Sequence, residues 1–107
     1  TFSQAATGAS GIETLLPLAL ELFHNDSLKL NKIIKVLTSN PAKILKINKG
    51  NLTVGNDADF CIVDIYKPWI VKKETLISKS KNTSIEDKKL QGKVTNTFVK
   101  GEELFKI

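Results

Sequence analysis

Arginine and methionine are absent from this 107-residue sequence, and cysteine, histidine, tryptophan and tyrosine occur once each. Each scarcity excludes something. A lone Cys61 makes no internal disulfide, which suits a reducing compartment. A lone His24 falls short of the three or four ligands that a metal centre requires. With no arginine, the sixteen basic residues are all lysine, so the planar fork that grips phosphate and guanine edges is missing. The lysines are also spread from Lys29 to Lys106 rather than gathered into a patch. The formal charge of +5 therefore reads as a solvated surface, and nucleic acid is not an expected partner. The longest apolar stretch, Ile12 to Phe23, is interrupted by Glu13, Thr14 and Glu21 and is too short to cross a bilayer. No basic region precedes a hydrophobic one in the manner of a signal peptide. These features together predict one soluble, cytoplasmic domain with no membrane partner.

What is present divides near Lys49-Gly50. In the front half, Ile12, Leu15, Leu16, Ala19, Leu20 and Phe23 recur at helical spacing, with Pro17 acceptable only in the first turn or as a kink and an end near His24. Ser27 is expected to cap a second helix whose apolar face is Leu30, Ile33, Ile34 and Leu37. Asn40 followed by Pro41 predicts a short third helix over 41–45, and Gly50 a terminating turn. In the back half, Leu52 and Val54 suggest a short strand, with a turn at Gly55-Asn56-Asp57. Phe60 to Asp64, FCIVD, reads as a strand buried on both faces, and Trp69-Ile70-Val71 is β-prone. Lys93 to Val99 and Leu104 to Ile107 form a hairpin about Lys100-Gly101, and 79–89 is a polar surface loop. Helices followed by strands suggest either an α+β domain or the tail of something larger, and the first helix is apolar around too much of its circumference for one covered stripe. Such a helix needs neighbours on more than one side.

Candidate chemistry is sparse. His24 reads as a dipole-complementing residue at a helix end and Cys61 as a small buried hydrophobe. Asp57 and Asp59 read as turn and capping groups, and Ser78 to Thr83 as a hydrogen-bonded loop without a phosphate cradle. The opening stretch, AATGASG, is the exception. Its side chains are small, Gly8 and Gly11 allow positive φ, and its amides can approach a ligand. On spacing alone this stretch is equally a tight loop packed on a neighbouring element.

Five segments, SGIETLLPLAL, SNPAKIL, GNLTVGNDADFCIVD, SKSKNT and GKVTNTFVKGEELF, occur in an order that resembles the C-terminal part of the dihydroorotase branch of the amidohydrolase superfamily. The resemblance covers Phe2 to Phe105. It implies the α/β fold class and a longer enzyme, a (β/α)8 barrel carrying a small β-sandwich, of which this chain is a C-terminal fragment. Residues 1–49 would be the last barrel loop and two to three outer helices, and 50–107 strands of the sandwich. Barrel enzymes keep their chemistry in the loops after strands, which would place residues 1–11 at the catalytic mouth. The implied activity is zinc-dependent interconversion of N-carbamoyl-aspartate and dihydroorotate in pyrimidine biosynthesis. The zinc ligands and catalytic residues of that family have no counterpart here, so this segment alone is expected to bind no metal and to be inactive. What carries over is substrate contact by backbone groups at Thr7 and Gly8, although many relatives have a proline next to that glycine where this chain has Ala6-Thr7-Gly8. The implied partners are the small-molecule substrate, the N-terminal remainder of the chain and a second copy in a homodimer. The alternatives are a noncatalytic dihydroorotase-like partner of aspartate transcarbamoylase, an allantoinase- or dihydropyrimidinase-type cyclic amidase, or a small basic interaction module.

Overall fold

The computed structural model describes residues 1–107 and is a mixed α and β structure, helices first and strands after. Helix α1 spans Leu15–His24, α2 Leu30–Leu37 and α3 Ser39–Leu45. Strands β1 (Phe60–Ile70), β2 (Lys89–Val99) and β3 (Glu102–Lys106) form one antiparallel sheet in the order β1-β2-β3. Single 3-10 turns stand at Phe2–Gln4 and Lys73–Thr75. No helix is long and apolar enough to cross a membrane.

The helices start differently from the sequence expectation. Helix α1 begins at Leu15 rather than Ile12, because Gly11 to Thr14 form turns in which the Thr14 hydroxyl donates to the Gly11 carbonyl at 3.3 Å. Pro17 falls in the first turn of α1, where its missing N–H costs nothing. Ser27 caps no helix; α2 begins three residues later with Lys29 at its N-cap, and no side chain bonds there. Asn40 lies inside α3 rather than capping it, and Pro41 is again in the first turn. Lys46 in the left-handed conformation ends α3, not Gly50. Gly50 has a different reason to be glycine. At φ +73° its backbone crosses Thr38 so closely that a Cβ would lie 2.7 Å from the Thr38 carbonyl oxygen.

The strands are fewer and longer than expected. Leu52 and Val54 form no strand; they lie on an exposed turn-rich segment whose Asn51 and Asn56 side chains bond to each other at 2.6 Å. β1 runs the whole way from Phe60 to Ile70 and so absorbs both FCIVD and Trp69-Ile70. Pro68 is admissible there because β1 is an edge strand and the register slips between Asp64 and Pro68. β2 starts at Lys89, inside the expected loop, and β3 at Glu102 rather than Leu104. Lys100 and Gly101, at φ 49° and 79°, make the hairpin turn with both residues left-handed. FCIVD is not buried on both faces: Phe60, Cys61 and Ile62 are all exposed, Ile62 by 49%.

α1 and β2 are tied through Leu20, which is fully buried. Gly92 of β2, at φ +114°, lets that contact happen; a Cβ there would sit 2.5 Å from Leu20 Cδ1. Three residues of β1, 65 to 67, bulge opposite Gly92, and Trp69 Nε1 donates to its carbonyl at 2.9 Å. Val71, Leu76 and Leu90 are the other buried residues of this core, and Ile33 and Ala42 are the buried positions of α2 and α3. Only nine of 107 residues are buried, while Ile12, Leu15, Ile44, Leu45, Leu52, Val54 and Ile77 are more than half exposed. The accessible surface is 8079 Å², where a folded monomer of this mass exposes roughly 5,900 Å². The Cα radius of gyration is 15.7 Å, against about 13 Å for a compact chain of this length. A large apolar area stands open.

Candidate functional site

The opening loop is held from one side by a segment 70 residues away. The Glu13 carboxylate accepts the backbone N–H of Ile77 at 3.0–3.1 Å and that of Ser78 at 3.2 Å. Asn82 makes two further ties: its carbonyl accepts the Ser10 N–H at 2.7 Å, and its side-chain Nδ2 donates to the Gly8 carbonyl. The Lys81 ammonium folds back on the Leu76 carbonyl and stiffens the same segment. Loop and strap are both irregular backbone, so side chains supply the bonds that a ladder would otherwise make.

The two candidate substrate contacts, Thr7 and Gly8, are exposed on this loop. The backbone N–H groups of Thr7, Gly8 and Ala9 and the Thr7 carbonyl have no partner in the chain. Free donors and acceptors lie side by side, with no side chain of Ala5, Ala6 or Ala9 larger than a methyl to obstruct them. Gly8 and Gly11 do not use the positive φ that glycine allows, and a Cβ at either would meet nothing within 4 Å. Their smallness gives access rather than an unusual backbone turn.

The other candidates take structural places. Lys49 bridges Asp57 at 3.3 Å and Asp59 at 2.6 Å, and Asp59 also accepts the Lys100 N–H at 2.8 Å. The Lys49 bond first, and the Lys100 amide second, hold the Asp59 carboxyl below its ordinary range. Asp59 in turn is the main cause that raises Lys49, with Asp57 next. Asp59 fastens the 49–59 turn to the β2–β3 hairpin, while Asp57 ties the turn to Lys49, as turn groups do. His24 closes α1 but is less open than a surface residue: its ring lies 5.3 Å from Phe23 and 5.5 Å from Tyr66, and Nε2 is shielded without a partner. Cys61 is exposed rather than buried. No three His, Cys, Asp or Glu side chains converge on a point where a metal ion could be held.

Glu13 and Asn82 were not legible as site residues. Glu13 reads as a polar interruption of an apolar helix, and Asn82 as one polar residue in a polar loop. Only their pairing across 64 to 74 positions gives them a role, and no spacing rule spans that distance.

Residues 4–104 match the model of the amidohydrolase family. The chain is 42% identical over 102 residues to a dihydroorotase of Aquifex aeolicus, covering 95% of this chain and 24% of that protein. It is 39% identical over 104 residues to a dihydroorotase of Anaplasma phagocytophilum, covering 97% and 23%. Among solved structures, an L-hydantoinase (dihydropyrimidinase) from Arthrobacter aurescens superposes with a TM-score of 0.88 at 31% identity, over 98% of this chain and 24% of that one. A D-hydantoinase gives the same TM-score at 21% identity and so speaks for the fold alone. The chain thus spans about a quarter of the length of the relatives it matches. With a family model covering nearly all of its residues, its helices and most of its hairpin among them, the chain belongs to the amidohydrolase family.

Proposed function

We propose that this chain forms the C-terminal part of a dihydroorotase, an enzyme that opens and closes the cyclic amide linking dihydroorotate and N-carbamoyl-aspartate. The observation that carries the reading is the 39–42% identity to dihydroorotases over at least 95% of the chain. The open apolar surface supports it. Ile12, Leu15, Ile44 and Leu45 belong against further protein, and the rest of a (β/α)8 barrel is the proposed cover, with 50–107 contributing to a β-sandwich.

On this reading the opening loop lies at the rim of the catalytic mouth, and Thr7 and Gly8 contact the substrate through their backbones. Dihydroorotate presents ring amides and a carboxylate. The unbonded N–H groups and carbonyl of Thr7–Ala9 are complementary to both. Zinc is the metal proposed for the whole enzyme, and the side chains described above do not fit it. His24 is packed between aromatic rings and both site aspartates are engaged by Lys49. The metal and the catalytic base therefore belong to other residues of the enzyme, and the role of this chain is binding and closure. The enzyme is proposed to be cytoplasmic and homodimeric.

A second reading, a hydantoinase-type cyclic amidase, is favoured by the L-hydantoinase superposition. Turnover assays with zinc separate the two. Residues 1–107 alone should convert no substrate. The longest natural form carrying them should convert dihydroorotate faster than hydantoin or dihydrouracil. Turnover by the 107 residues alone would refute the division of labour, and a preference for hydantoin would favour the second reading.

A further inference from the structure

We infer that Asn82 is a positioning residue that orients the Gly8–Ala9 peptide unit and thereby aims the free Ala9 N–H at the substrate. The inference rests on the functional reading above only for the identity of that substrate. A trans peptide points its C=O and the following N–H in opposite directions within one plane, and this chain has no cis bond. Pinning the Gly8 carbonyl to Asn82 Nδ2 therefore turns the Ala9 N–H away from the 76–83 strap. That N–H has no partner in the chain, and Ala9 is exposed.

Little else fixes this plane. Neither Gly8 nor Ala9 lies in a helix or strand, and nothing in the chain would contact a Cβ on Gly8. The next restraint along the chain is the Ser10 N–H donated to the Asn82 carbonyl, so one residue holds both ends of a three-residue span. Glu13 on Ile77 and Ser78 then keeps the strap itself beside the loop. A peptide unit held by one side-chain amide on an exposed glycine turns over readily once that amide is lost.

Asn82→Asp tests the donor with little change in shape, because a carboxylate accepts but does not donate and would face the Gly8 carbonyl. Asn82→Ala removes the group altogether. Both are made in the longest natural form of the protein that carries these residues. Two readouts apply: steady-state kinetics with dihydroorotate, and the rate of cleavage within Ala5–Ser10 by a protease that cuts after small residues. KM should rise and cleavage should accelerate roughly three- to tenfold in Asn82→Ala, the worth of one neutral hydrogen bond. Asn82→Asp should do at least as much, with kcat and thermal midpoint changed far less in both. Wild-type KM and wild-type cleavage in both variants would overturn the inference. If the parent protein converts no dihydroorotate, the functional reading fails and the cleavage rates alone decide for or against the latch.

Discussion

Replacing Gly92 by alanine should be among the most damaging single-methyl additions in this chain. Two independent costs fall on that position. The backbone stands at φ +114°, where an L side chain is strained by about 1–3 kcal/mol. The new methyl would also lie 2.5 Å from Leu20 Cδ1, and Leu20 is fully buried between α1 and β2, so relief requires moving the helix or forcing a rotamer. Overpacking of this kind costs about 1–3 kcal/mol. The sum is a loss of about 2–6 kcal/mol, read as a shift in denaturant midpoint at constant slope. The two costs are separable. Leu20→Ala alone should cost about 2–5 kcal/mol through the cavity it leaves. In the double variant the methyl has room, so the combined loss should fall short of the sum by the overpacking share, about 1–3 kcal/mol, while the φ strain persists. A Gly92→Ala variant within about 0.5 kcal/mol of the parent, below the stated cost of either effect, would refute the close α1–β2 approach. Strict additivity in the double variant would refute the steric part alone.

Two other perturbations probe the polar ties. Asp59 titrates lower in the folded chain than free, so its contribution is present above its ordinary value of about 3.9 and fades as pH falls through the lowered one. Lys49 runs the opposite way: its contribution holds below its ordinary range and is lost as pH rises through the raised one. Asp59→Asn should therefore destabilise at neutral pH and converge with the parent in strong acid, as followed by thermal melts across pH; a constant gap would exclude the ion pair as cause. Glu13→Ala should free the Ile77 and Ser78 amides at a cost of about 1–3 kcal/mol, and faster amide exchange at those two residues would report it.

The helices were legible from the sequence because their apolar residues repeat at 3.6, and that signal survives irregular ends. Their boundaries were not. Ser27 and Asn40 are good capping types, yet no side-chain cap forms in α2 or α3, and chain reversals at Asp26 and Lys46 set the limits instead. The burial of FCIVD was misread for a different reason. An apolar run announces that a strand prefers cover, not that the cover lies in the same 107 residues, and Ile62 is 49% exposed. The opening loop was legible as small and accessible. The strap that holds it was not, since Glu13 and Asn82 meet their partners only through the fold.

The open apolar surface of α1, α3 and the 52–62 region is proposed to be an interface with further protein. Sedimentation velocity on residues 1–107 alone, at micromolar concentration and above, tests it most directly. Concentration-dependent association or aggregation is expected, relieved when Leu15, Ile44 and Leu45 are made polar. A well-folded monomer across the whole concentration range would contradict it.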